Sequence, residues 1–187
     1  MMRELIYSMT TSLDGFIADP DGKIDWSVPD EELFRFHTER VRHVGVQLCG
    51  RRLYETMVYW ETADRDPAAT DATLEFARIW QALPKIVFST SLDSVEGNSR
   101  IARGGLAEEV TRLKLEDGGD IAVGGAGLAG ACAQLGLIDE YQLFVSPVVL
   151  GGGTPFFPVL DERIALSLVE TRTFGSEVQF MRYRVAG

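Results

Sequence analysis

The stretch IAVGGAGLAGACAQLGLIDE, residues 121–140, decides how this chain is read. It begins as strand, stops at Gly124 and Gly125, and adds Gly127 and Gly130. It then resumes as a helix-spaced segment in which Leu128, Cys132 and Leu135 share a face. Paired glycine at a strand-to-helix junction lets a second group approach the backbone closely. Gly125, Gly127 and Gly130 satisfy G-x-G-x-x-G, the dinucleotide fingerprint. A Rossmann unit also requires an acidic residue at the far end of the next strand, where it holds a ribose hydroxyl. Here that strand runs to Leu150 and three glycines, while Asp139 and Glu140 stand before it, so the Rossmann form is discounted. Its physical content survives. Amides at a helix start carry roughly half an elementary charge from the dipole and suit a pyrophosphate. Tight strand-to-helix packing with no ligand is the competing reading.

Upstream of this junction, LIYSMTT (5–11) suits a buried strand and SLDGFIADPDGKIDW a long loop dense in Gly, Asp and Pro. Ser27, Pro29 and Asp30 signal a helix start with a Ser27-x-x-Asp30 capping box. Phe34, His37, Val41 and Val44 then recur at helical spacing, which predicts a helix over 29–44. GVQLCG (45–50) reads as a strand, RRLYETMVYW as a short helix behind it, and ETADRDPAATDA as a mobile polar loop. TLEFARIWQAL is a helix ended by Pro84, and KIVFST is the third strand. In GGLAEEVTRLKLED, Leu106, Val110 and Leu113 share one face and Glu108 pairs with Arg112 on another. Downstream, YQLFVSPVVL reads as a long apolar strand, and LSLVETRTF with EVQFMRYRV as a hairpin about Gly175 and Ser176. Alternating strands and helices followed by a strand-rich C-terminus predict one α/β domain over 1–187, with a mostly parallel sheet and an antiparallel edge.

Composition narrows the partners. A chain of 187 residues, 45% hydrophobic, buries roughly 70% of its unfolded surface, enough for one core. Its 28 acidic against 18 basic residues give a formal net charge of -10, which disfavours nucleic acid and anionic membranes. A small phosphate-bearing ligand needs only a local positive potential. Cys49 and Cys132 lie in apolar runs apart from each other and from histidine, so they read as buried small hydrophobes, with no disulfide and no metal site. Neither an export signal nor an apolar run of membrane-spanning length occurs, so a cytoplasmic location is expected.

Behind Gly50, Arg51 and Arg52 follow the 45–50 strand at a helix start, where cations gain nothing from the dipole and a phosphate would compensate them; pairing with Glu55 or another acid is the alternative. The order SMTTSLDGFIA, DW, GRRLYETM, KIVFSTS, IAVGGAGL and GGGTPFFP resembles the dihydrofolate reductase-like superfamily. Within it, the chain is similar to stand-alone proteins related to the riboflavin-biosynthesis (RibD C-terminal) reductase domain, over nearly its whole length. The resemblance implies that fold, with helices on both faces of the sheet, and a reductase that takes hydride from NADPH, often as a homodimer.

By position, the resemblance sets Gly124, Gly125 and Ala126 against the pyrophosphate. It gives the adenosine 2'-phosphate to Arg51, helped by Arg52, Ser89, Thr90 and Arg103, counts Gly50 among the cofactor-binding residues, and lays Thr10, Ile17 and Ala18 along the nicotinamide. Arginine suits phosphate because its planar fork binds bidentately. Aligning Trp26 and Pro29 with the folate reductases puts Glu31 at their catalytic carboxylate, beside Asp30. Trp26 and Asp30 then border the substrate, with core packing the alternative for Trp26 and ordinary first-turn acids favoured by the helix dipole the alternative for Asp30, Glu31 and Glu32; Asp14 of SLDG is a second catalytic candidate or a turn residue. His37 falls on an apolar helix face and His43 near a helix C-terminus, so neither reads as catalytic. Phe16 stands where the riboflavin reductases carry lysine, which weakens a ribosyl-phosphate substrate. The expected substrate is a small pyrimidine- or pterin-like heteroaromatic or a carbonyl compound, and a non-catalytic NADP(H)-binding protein of the same fold is the alternative.

Overall fold

The structure is a computed structural model and describes residues 2–186. The opening segment forms β1 (Leu5–Ser12) and a short β2 (Phe16–Ala18), followed by α1 (Glu31–Val41) and β3 (Val44–Gly50). Gly50 leads directly into α2 (Arg51–Met57), and after two short 3-10 turns come α3 (Asp71–Ala82), β4 (Lys85–Phe88) and β5 (Ser99–Ile101). The second half holds α4 (Leu106–Leu115), β6 (Asp120–Gly124), α5 (Ala126–Gln134) and β7 (Glu140–Ser146). It ends with β8 (Thr154–Pro155), β9 (Leu166–Thr173) and β10 (Gln179–Val185).

Eight strands form one sheet in the order β5-β4-β3-β6-β1-β7-β10-β9, and β2 pairs with β8 separately. The six strands from β5 to β7 run parallel; β10 is antiparallel to β7, and β9 to β10. The chain leaves β1 toward β3 on one side and later crosses from β6 to β7 on the other. In open α/β sheets such a reversal opens a crevice outside the carboxyl ends of the strands.

Alternation along each strand divides the core between two faces. Leu5 and Tyr7 of β1, Leu48 of β3, and Ile121 and Val123 of β6 pack with Val110 and Leu113 of α4 and Ala129 and Cys132 of α5. On the opposite face Leu33 of α1 packs on Phe144 and Phe180, and Tyr54 of α2 on Cys49 and Val87. Helices therefore cover both faces, as expected. Both cysteines are free and buried, and desolvation pushes each thiol up to about 12.

Four local expectations are corrected. The cap of α1 is Asp30, whose carboxylate accepts from Leu33 N at 2.8 Å, while the Ser27 hydroxyl donates to Ile24 O and closes a separate 3-10 turn. Arg112 pairs with Glu109 and Glu116, not Glu108. The strand after α5 stops at Ser146, because Pro147 lacks an amide for the ladder. The polar segment after α2 is pinned at its start: Ala63 is buried, and Glu61 meets the buried Lys85 at 2.8 Å.

Candidate active site

At the carboxyl edge Cys49 pairs with Gly124, and Gly50 with Phe88, so β3, β6 and β4 end at one level. Three helices, α2, α4 and α5, start at this edge from Gly50, Gly105 and Gly125 without a side-chain cap. By contrast α1 and α3 are capped by Asp30 and Thr70. Uncapped starts leave the first-turn amides to solvent or a ligand. The glycine pair of the opening stretch has two separate local causes. A Cβ on Gly124 would strike the Leu53 side chain of α2, whereas Gly125 sits at φ +91, a backbone state that L side chains rarely adopt. Beside Gly127, at the first turn of α5, the space is open.

Next to these helix starts lies an open cleft of about 490 Å³, lined by Arg51, Phe88, Ser89, Thr90, Ser91, Ala102 and Gly104. Arg51 reaches it from the first turn of α2, donating to Ser91 Oγ at 2.9 Å and lying 3.3 Å from Glu55 across an exposed ion pair. Such an exposed pair holds its arginine weakly. The Ser89 hydroxyl accepts from the Ser91 and Leu92 amides and folds the loop after β4 around the cleft. Arg51, Ser89 and Thr90 thus come together, with Gly50 next in chain to Arg51. Arg52 and Arg103 are exposed and do not line the cleft, although Arg103 lies between two residues that do. Ser91 was not singled out from the sequence; its place in the SER-THR-SER run after β4 was the available signal.

Thr10 lies half-buried near the end of β1, and Ile17 and Ala18 form β2 against β8. Asp14 joins the loop between β1 and β2 to the glycine-rich loop before β8, accepting from the Leu150 amide at 3.0 Å and the Gly151 amide at 2.7 Å. The Ser12 hydroxyl and then those amides hold its carboxyl below the usual range. Trp26 is half-buried, with Nε1 donating to Lys23 O at 3.3 Å. Asp30 spends its carboxylate on the cap, and Glu31 is exposed and pairs with Arg35 at 3.0 Å. The neighbouring Glu32 accepts from the Gly175 amide and Arg172, which lower its pKa in that order. On the inner side of α1 the His37 ring lies 4.2 Å from that of Phe144, and desolvation, then Arg40, pushes its pKa down to about 4. Among the described residues no cluster of three metal-ligating side chains forms, and no helix is long and apolar enough to cross a membrane.

Known proteins share this architecture. The chain is 33% identical to YyaP of Bacillus subtilis (strain 168), over 99% of its own length and 96% of that protein. A protein from Shewanella sp. PV-4, provisionally assigned to riboflavin biosynthesis, superposes with a TM-score of 0.75 over 100% of both chains at 23% identity. Enterococcus faecalis dihydrofolate reductase, solved with NADP(H), superposes with a TM-score of 0.66, again over 100% of both chains, at 16% identity. The fold is therefore that of dihydrofolate reductase. Residues 3–180 match the RibD C-terminal domain, and a match over that much of the chain makes it a member of the RibD C-terminal domain family.

Proposed function

We propose that the protein is an NADPH-dependent reductase that transfers hydride to a small pyrimidine- or pterin-like ring or a carbonyl compound. One observation carries the reading: Arg51 lines an open cleft beside helix starts that no side chain caps. In that reading Arg51, with Ser89, Thr90 and the Gly50 amide, holds the 2'-phosphate, and Arg52 and Arg103 add long-range attraction. The amides after Gly124, Gly125 and Ala126 receive the pyrophosphate. The nicotinamide lies along Thr10, Ile17 and Ala18, and the structural neighbour solved with NADP(H) supports the choice of cofactor.

Hydride transfer is the cofactor's own chemistry when it is bound; the chain's residues align the reactants, exclude water and manage one proton. Asp14 fixes the loop that leads to Ile17 and Ala18. Trp26 and Asp30 border the substrate, and Glu31 would serve as proton relay on leaving its Arg35 partner.

The test is titration with NADPH and NADH, followed by quenching of the three tryptophans. NADPH binds more tightly than NADH, and Arg51→Ala weakens NADPH by about 1.5 to 3 kcal/mol, the scale of a charge-assisted hydrogen bond. Equal affinity for the two nucleotides removes the 2'-phosphate role. NADPH binding with no turnover on any pterin, pyrimidine or carbonyl acceptor would favour the non-catalytic reading. A homodimer belongs to the same proposal, because β9 is an edge strand that exposes Leu168 (57%) and Val169 (44%). Sedimentation equilibrium should give twice the mass of one chain, and a monomer mass would refute it.

A further inference from the structure

The parallel strands have a second edge, at their amino ends, opposite the cleft that Arg51 lines. A cavity of about 380 Å³ opens there, between the end of α4 and the starts of β3, β4 and β5. Arg3, just ahead of β1, lines it with a side chain only 5% exposed. A Cβ on Gly45 would stand 2.8 Å from Arg3 Nη2, and one on Gly118 3.6 Å from its Cζ, so the guanidinium lies against two glycines. Arg3 Nε donates to Gly119 O at 2.5 Å, its one hydrogen bond among the described residues, and Nη1 stands 3.8 Å from the Glu116 carboxylate, beyond hydrogen-bonding reach. A guanidinium carries five N–H donors, and burying one with most of them unspent is costly unless an acceptor arrives. Ser99 lines the same cavity, and its Oγ is buried with no hydrogen-bond partner among the described residues. Polar atoms at that depth are ordinarily partnered, by water or a ligand where not by protein.

Charge and lining decide what fits. Arg3, Arg100 and Arg112 border the cavity; Arg100 pairs with Glu109, and Arg112 with Glu109 and Glu116. Three guanidinium groups against two carboxylates leave one positive charge over, in a chain of net charge -10. Lys85 adds none, because its ammonium is taken by Glu61. Helix α4 ends at the cavity, and the partial negative charge of its C-terminus disfavours a doubly charged anion. Val46, Pro84, Ile86 and Leu113 supply an apolar wall. We propose that this cavity binds a small monocarboxylic acid, its carboxylate on the Arg3 fork and the Ser99 hydroxyl, its apolar body against that wall. A planar carboxylate matches a guanidinium bidentately, which spends the donors that Arg3 otherwise leaves idle. The site lies at the opposite end of the sheet from the nucleotide cleft and does not rest on the reductase reading.

Benzoate and benzamide are a matched pair of probes, alike in shape and different in charge. In calorimetric titration benzoate should saturate with a dissociation constant below about 1 mM and bind at least about tenfold more tightly than benzamide. It should also shift the Arg3 Nε signal in a 15N spectrum of the arginine side chains. Arg3→Lys, which keeps the charge but not the fork, should weaken benzoate at least about tenfold. Ser99→Ala removes a hydroxyl with no protein partner, so it should leave the unfolding midpoint unchanged and weaken benzoate by about twofold to tenfold; it carries the test should Arg3→Lys fail to fold. Saturating NADP+ should leave benzoate affinity unchanged. Equal affinity for benzamide, an unmoved Arg3 signal, wild-type benzoate affinity in Ser99→Ala, or displacement of benzoate by NADP+ would overturn the proposal. Benzoate bound at Arg3 in a protein that fails to bind NADP+ would uphold this site and count against the reductase reading alone.

Discussion

Gly124 and Gly125 are glycine for different reasons, and only one of them is conformational. Gly125 needs its positive φ, whereas Gly124 is kept small by Leu53. Gly125→Ala should therefore lower unfolding free energy in urea by about 1–3 kcal/mol, the cost of a side chain in a sparsely populated backbone state. Gly124→Ala should cost about 1 kcal/mol, the low end of overpacking, since Leu53 presents only the end of a flexible chain. An unaffected Gly125→Ala protein would show that the junction is not held in this conformation. The spacing of glycines announced the junction, but separating its two causes needed Leu53, which is 71 residues away in sequence from Gly124 (124 − 53) and adjacent in space. His37 was legible only as an apolar-face residue.

Among the elements, the segment between α2 and α3 is tied down by a buried ion pair that its polar composition hides. Lys85, 1% exposed, donates to Trp80 O at 2.7 Å, in the last turn of α3, and to Leu83 O at 3.0 Å, just past its end. It also lies 2.8 Å from Glu61, 8% exposed, close enough for an ion pair although the contact is off the hydrogen-bonding direction. Removing one partner strands the other charge in the interior. Lys85→Met should destabilise the fold by about 3–5 kcal/mol, and Lys85→Met with Glu61→Leu by markedly less, measured by urea unfolding. If the double variant is no more stable than the single one, the pair is not the anchor. The long apolar run before Pro147 was read past its end, because hydropathy carries no record of a missing amide.

At the scale of the whole molecule, five of the six parallel strands and their helices were legible, because each of those strands is an apolar run, most of them bounded by glycine or proline, and the helices carry apolar stripes. β2, β5 and β8 were not, since two or three residues carry no periodicity and their pairing is set by distant loops. Strand order was equally beyond local pattern, yet it is what gathers Gly50, Gly124 and Phe88 at one edge and gives Arg51 a cleft to face. In a chain of net charge -10, that edge is where a phosphate can be compensated. The most direct measurement is 31P NMR of the 2'-phosphate of NADP+ titrated with pH, free and bound. Free, it loses its second proton near pH 6; bound beside Arg51 it should stay dianionic well below that, and Arg51→Ala should return it toward the free value. A bound 2'-phosphate that titrates like the free nucleotide, in the wild type as in the variant, would contradict the account.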